Sequence, residues 1–175
     1  MATQVTDTDP ASLNTPNDLG DNGRQAVADS VNKLVADAFV LYTKTKNFHW
    51  HMTGPHFRDY HLMLDEQSEQ IFATTDPLAE RVRKLGKRTV HSLGEMVKIA
   101  HLKENDADFI PPLEMLKELM SDNKKMAAAM RETHKVCDDH EDVATASLLE
   151  EYIDQTERRT WFLFEAMQGA DDTGH

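Results

Sequence analysis

Among the His, Asp and Glu residues between positions 49 and 80, five stand out as candidate ligands for a divalent metal: His49, His61, Asp65, Asp76 and Glu80. Imidazole nitrogen with carboxylate oxygen suits Fe(II), Mn(II) or Zn(II), and with Cys137 the only cysteine, no thiolate set competes for a soft ion. His61 and Asp65 are four apart, as are Asp76 and Glu80, so on a helix turning ~100° per residue each pair projects from one face. The step from Asp65 to Asp76 is close to three full turns, which places all four on one stripe. That stripe is too long for a single centre. At a rise of ~1.5 Å per residue the two pairs stand ~16 Å apart, against metal–ligand bonds of ~2 Å. Two copies of the helix packed antiparallel across a two-fold axis remove the difficulty, because the His61/Asp65 end of one then faces the Asp76/Glu80 end of the other. His49, one short turn away from His61, can join the same cluster. Surface helices also carry carboxylates at this spacing without a metal, and a lone histidine is commonly a hydrogen-bonded structural residue. Spacing alone leaves both readings open.

The elements that must position these residues are helical. From about Arg24, Val27, Val31, Leu34, Val35, Ala38, Leu41, Tyr42, Thr45 and Phe48 recur at three- and four-residue steps, and Gly54-Pro55 ends the run. A second helix is expected from about Arg58 to Leu85, with Gly86 as its C-terminal stop. Pro77 interrupts its pattern: either the helix kinks there, or a new one starts with Asp76 as N-cap and Pro77 at its first position. Ser92-Leu-Gly-Glu95 has capping-box spacing and predicts a brief helix to about His101. Leu113, Leu116, Leu119, Met120, Met126, Ala127, Met130 and His134 define a third long helix after Pro111-Pro112. A fourth follows the acidic turn 138–142, through Val143, Ala146, Leu149, Tyr152, Ile153, Thr156, Leu163 and Ala166, and closes at Gly169.

Four long amphipathic helices, with a long crossover between the second and third that carries a short extra helix, describe an all-α, ferritin-like four-helix bundle. The expected boundaries are a disordered acidic tail over 1–23, the bundle over 24–168 and an acidic tail over 169–175.

A chain of 175 residues suffices for one domain of this kind. A single cysteine excludes an internal disulfide and suits a reducing cytoplasm. The N-terminus has no secretory pattern, and no stretch is apolar for the ~18 residues a membrane span requires. The formal net charge of −12 argues against general attraction to phosphate backbones and suits a surface that gathers cations, although solubility alone also accounts for it. One pattern is absent: no internal histidine has a glutamate three residues before it, as Arg58 before His61 and Arg131 before His134 illustrate. The Glu-x-x-His pairs of a di-iron centre inside one bundle are therefore missing.

The residues resemble those of Dps, the mini-ferritin called DNA-binding protein from starved cells. The resemblance rests on His49-Trp50, Gly54, Phe57, His61, Met63-Leu64-Asp65, Asp76-x-x-Ala79-Glu80-Arg81 and Leu85-Gly86. It continues in Thr145-Ala146, Leu148-Leu149, Glu157 and Trp161 of the last helix, and so covers nearly everything except the tails. It implies a hollow homododecamer that oxidises Fe(II), preferably with hydrogen peroxide, stores the ferric product and so protects DNA. The implied two-iron ferroxidase centre takes His49, His61 and Asp65 from one subunit and Asp76 and Glu80 from its partner, with zinc as a substitute metal or, in a structural role, an alternative one.

The same resemblance implies a second helix continuous through a bend at Pro77. It sets Trp50 and Trp161 near the centre as traps for stray oxidising equivalents, core packing being the other role open to each. It also puts Asp138, Asp139, Glu141 and Asp142 at an acidic iron-entry pore, where solvated charge is the competing account, and leaves Glu150, Glu151 and Asp154 as candidates for lining the cavity. Cytoplasmic residence, with or without nucleoid association, goes with this reading. The departure is in the tails: both are acidic, which makes DNA binding through them doubtful and leaves a DNA-compacting nucleoid protein as the alternative.

Overall fold

The structure is a computed structural model that describes residues 11–169. Its helices are α1 (Asp21–His51), α2 (Phe57–Ala73), α3 (Thr75–Lys84), α4 (Leu93–Ile99), α5 (Pro112–Asp139) and α6 (Val143–Ala166), preceded by one 3-10 turn at Ala11–Leu13. No strand occurs among the described residues. Helices α1 and α2 form one antiparallel pair and α5 and α6 another. The crossover runs the length of the bundle and lays α4 against α1.

The apolar period expected from the sequence is the buried one: Val27, Val31, Leu34, Leu41 and Phe48 of α1 meet Leu64, Ile71, Leu78 and Val82 of α2 and α3, and Leu116, Leu119, Met126, Met130, Leu149 and Leu163 of α5 and α6. The methionines of α5 are core filling. Among the described residues no helix is long and apolar enough to cross a membrane.

Helix α1 starts at Asp21, three residues before the expected Arg24. The Asp21 carboxylate binds Lys87 Nζ at 2.9 Å and Arg24 Nη2 at 3.1 Å, and the Lys87 hydrogen bond holds its pKa below the usual carboxylate value. Part of the stretch expected to be a disordered tail is placed against the end of α3. Arg83 Nη2 donates to the Leu13 carbonyl at 2.9 Å, Asn17 Nδ2 reaches the Lys84 carbonyl at 3.4 Å, and Leu19 packs on the core. Residues 1–10 and 170–175, which hold the rest of the expected tails, lie outside the described residues.

The Pro77 question resolves in a third way. The helix breaks at Thr74, three residues upstream, and resumes with Pro77 in the first turn of α3, where a missing N–H costs no helical bond. Thr74 keeps right-handed helical angles (φ −79°, ψ −20°), so the axis is interrupted rather than redirected by a turn. Thr74 Oγ1 donates to the Ile71 carbonyl at 2.8 Å and Thr75 Oγ1 to the Phe72 carbonyl at 2.7 Å, giving carbonyls at the break a partner.

The remaining boundaries follow local chemistry. Gly86 (φ 75°) ends α3 in a Schellman-type cap, with Lys87 N bonded to the Val82 carbonyl at 3.2 Å. Ser92 caps α4 by accepting from Glu95 N, while the Glu95 carboxylate reaches back to His91 N rather than Ser92 N. Helix α4 stops at Ile99, short of the expected His101, because buried Asp37 takes the His101 and Leu102 amides at 2.6 and 2.9 Å. Between α5 and α6 the chain turns through Glu141, the one non-glycine described residue with positive φ (61°).

Candidate metal centre

His49 ends the buried face of α1 and half-buried His61 follows the first buried residue of α2, Tyr60, on either side of a turn with Gly54 at φ 96°. The two imidazoles stack, with centroids 3.7 Å apart and planes 20° from parallel. Each is held by the other's backbone: His49 Nδ1 lies 2.8 Å from the His61 carbonyl oxygen, and His61 Nδ1 lies 2.9 Å from the His49 carbonyl oxygen. A carbonyl can only accept, so each Nδ1 carries the proton and each Nε2 presents its lone pair. This is the arrangement of a metal-ligating histidine whose second nitrogen is already engaged.

Asp65 stands one turn further along α2. His49 Nε2 is 3.8 Å from Asp65 Oδ1, and Lys46 of α1 binds that same oxygen. The Lys46 hydrogen bond is the main reason the Asp65 pKa lies below the usual carboxylate value; desolvation opposes it, and the Lys46 charge adds to the lowering. Lys46 was not singled out from the sequence. The signal was present, since it lies one turn before His49 on the same helix.

Asp76 and Glu80 lie on α3 and are exposed. Glu80 Oε2 faces Lys84 Nζ at 3.4 Å. Asp76 lines an apolar depression of about 500 Å³ with Val35, Phe39, Phe72, Ala79 and Met96. The structure thus brings His49, His61 and Asp65 together and leaves Asp76 and Glu80 apart on another helix. Among the described residues of the single chain, no three His, Cys, Asp or Glu are gathered closely enough to hold a metal.

Other expected sites fall differently. Trp50 and Trp161 are 67% and 58% exposed, so neither packs in the core of the chain; Trp161 Nε1 donates to Glu165 at 3.0 Å. Asp138, Asp139 and Glu141 are exposed at the α5–α6 turn. Asp142 is not exposed. It is buried as the N-cap of α6, accepting from Thr145 N at 3.1 Å and from Thr145 Oγ1, and it binds Arg81 Nη2 at 2.7 Å. The interior of the bundle holds a polar layer with two cations. Lys44 Nζ meets Glu118 at 2.6 Å and Asp122 at 2.7 Å, while Arg159, 2% exposed, meets only the neutral oxygens of Asn123 and Thr156.

The fold and the paired histidines define a class, that of the ferritin-like bundles, and the model of the ferritin-like domain matches residues 28–170. A "DNA protection during starvation protein" of Brevibacillus brevis is 31% identical over 140 residues, covering 80% of this chain and 93% of that protein. An uncharacterised low temperature-induced protein of Nostoc sp. is 32% identical over 152 residues, 86% of this chain and 85% of that one. The crystal structure of a Dps protein from Vibrio cholerae, described as a member of a broad superfamily of ferritin-like diiron-carboxylate proteins, superposes with a TM-score of 0.83 at 26% identity, over 89% of this chain and 98% of that one. The chain belongs to the Dps family of ferritin-like proteins.

Proposed function

We propose that the chain is a ferroxidase subunit in which two copies, related by a two-fold axis, share two identical iron sites, within a hollow dodecamer that stores the ferric product and protects DNA. The observation that carries this reading is the reciprocal histidine arrangement, which leaves both Nε2 lone pairs free, that of His49 3.8 Å from Asp65 Oδ1. Support for a second copy comes from the exposed residues along α2 and α3, where Leu62 and Phe72 are followed by Asp76 and Glu80. Apolar side chains left in water beside carboxylates suit a surface that is covered.

Fe(II) is the substrate. Two Fe(II) ions give one electron each to hydrogen peroxide, whose O–O bond breaks to two hydroxides, so no hydroxyl radical is released. His49 and His61 supply neutral donors and Asp65, Asp76 and Glu80 the negative charge that favours the ferric product. Lys46 keeps Asp65 ionised and oriented until a metal ion takes over that oxygen. Asp138, Asp139 and Glu141 supply an exposed negative patch that draws Fe(II) inward. Metal oxidation is favoured over DNA compaction because residues 1–23 and 169–175 contain no Lys or Arg.

Stopped-flow oxidation of Fe(II) by peroxide tests the reading. The double variant Asp65→Ala/Glu80→Ala should lose the fast phase, and an unchanged rate would overturn the assignment.

A further inference from the structure

We propose that Arg81 is a positioning residue for the iron site: its fork onto Asp142 and Thr145 fixes the rotation of α3 about its axis and so aims Asp76 and Glu80 outward. The proposal rests on the shared-site reading above and concerns how half of that site is held.

The break at Thr74 makes α3 a ten-residue helix whose backbone ladder is not continuous with that of α2. Thr74 keeps helical angles, so α3 follows α2 through its dihedrals, and side chains must hold the rotation that the interrupted hydrogen-bond ladder no longer fixes. Leu78 and Val82 bury against the core, but apolar contacts are non-directional and set depth better than azimuth. Arg81 supplies direction. Its Nη2 donates to Asp142 Oδ1 at 2.7 Å and its Nε to Thr145 Oγ1 at 2.7 Å. Two donors of one rigid, planar guanidinium are thereby fixed to two acceptors on the first turn of α6.

The acceptors are themselves rigid. Asp142 and Thr145 are buried, Asp142 caps α6 through Thr145 N, and Asp142 N bonds the Cys137 carbonyl at 2.9 Å, which ties the cap to the end of α5. Arg81 is the residue after Glu80, so it projects ~100° around the helix from it, and Asp76 and Glu80 share the face that is left exposed. Holding Arg81 inward therefore holds both carboxylates outward. A rotation of α3 by one residue's worth would carry Glu80 away from Asp76's partner site and bring neither carboxylate to it.

The test uses the assembled full-length apoprotein and Co(II) as the probe. In Arg81→Met/Asp142→Asn the fork is gone, while the asparagine oxygen still caps α6 and no lone buried charge remains. Co(II) affinity should fall about ten-fold or more, with a changed d–d absorption spectrum and a raised KM for Fe(II) relative to the change in kcat. Met130→Ala, a core change between α5 and α6, serves as reference: it should lower the Tm without moving Co(II) affinity or spectrum. Thr145→Val removes one acceptor with little change in shape, and should shift affinity and spectrum in the same direction by less. It decides the matter should the double variant fail to assemble. Wild-type Co(II) affinity and spectrum in the fork variants, or losses no greater than those of Met130→Ala at equal Tm, would overturn the proposal while leaving the site intact. If Asp65→Ala/Glu80→Ala also binds Co(II) as the wild type does, it is the shared-site reading that fails.

Discussion

His49 and His61 each donate a hydrogen bond from Nδ1 to the other's backbone carbonyl, at 2.8 and 2.9 Å. Because the acceptors are main-chain atoms, the arrangement survives loss of either side chain. His61→Ala should remove one ligand while His49 keeps its tautomer and position. Metal affinity should drop by roughly ten- to a hundred-fold without loss of fold, as isothermal titration with Zn(II) would read. A complete loss of binding with collapse of helicity would contradict the independence of the two anchors.

A site divided between subunits has a genetic signature. Asp65→Ala and Glu80→Ala should each be inactive alone. Dissociated, mixed and reassembled, they should regain activity, because pairing the two variants rebuilds one complete ligand set and leaves the other doubly defective. Stopped-flow rates on the mixture should recover toward a quarter of wild type, on the order expected for random pairing with one good site in half of the dimers. Persistent inactivity after confirmed reassembly would argue that all five ligands act within one chain.

Lys46 lowers the Asp65 pKa, chiefly through its hydrogen bond. A carboxyl whose folded pKa is depressed favours the folded, ionised state above its unfolded pKa and loses that contribution as pH falls through the folded value. The same ionisation keeps Asp65 ready for metal in mild acid. In Lys46→Met the Asp65 pKa returns toward the ordinary range, so Zn(II) binding should be lost at a higher pH than in the wild type. At neutral pH affinity should rise by a few-fold, on the order seen when an exposed ion pair no longer competes. Zn(II) titrations between pH 4 and 7 measure both effects, and an acid midpoint that does not move would refute the coupling.

The acidic turn divides by burial, with Asp138, Asp139 and Glu141 exposed and Asp142 buried. Asp138→Asn/Asp139→Asn/Glu141→Gln should slow Fe(II) uptake with little change in Tm, since all three side chains are exposed. Asp142→Ala should lower the Tm instead, by breaking a buried ion pair and a cap, a loss of about 3–5 kcal/mol. Thermal melts beside iron-uptake kinetics distinguish them.

Cys137 gives a simple probe of core integrity. Burial, helped by the Asp142 and Asp138 charges, pushes its thiol up to about 12. The thiol is therefore protonated at pH 8 and should be inert to thiol reagents in the native protein, reacting fully only once the chain is unfolded. Rapid native labelling would show that the α5–α6 junction opens.

Local periodicity carried most of the fold. Val27 to Phe48, Leu113 to His134 and Val143 to Ala166 each repeat at helical steps, and Ser92 with Glu95 marked the short α4. What the sequence did not show depends on partners far along the chain. Asp142 read as one charge in an acidic run, yet Arg81 makes it a buried anchor. Lys46 drew no reading, yet it binds Asp65. Asp37 read as nothing in particular, yet its hold on two amides ends α4. His49, His61 and Asp65 were legible as a group because a short turn joins α1 to α2; an interruption near Pro77 was legible too, but not its position at Thr74, because the proline lies inside the following helix rather than at its first residue.

Glu141 remains in the left-handed region at φ 61°, where glycine is the least costly residue. Glu141→Gly should stabilise the chain by about 1 kcal/mol and remove one negative charge from the turn. The turn therefore keeps a carboxylate where backbone geometry alone would choose glycine, a trade of foldability for local potential that makes this position a sensitive place to read which of the two the protein needs.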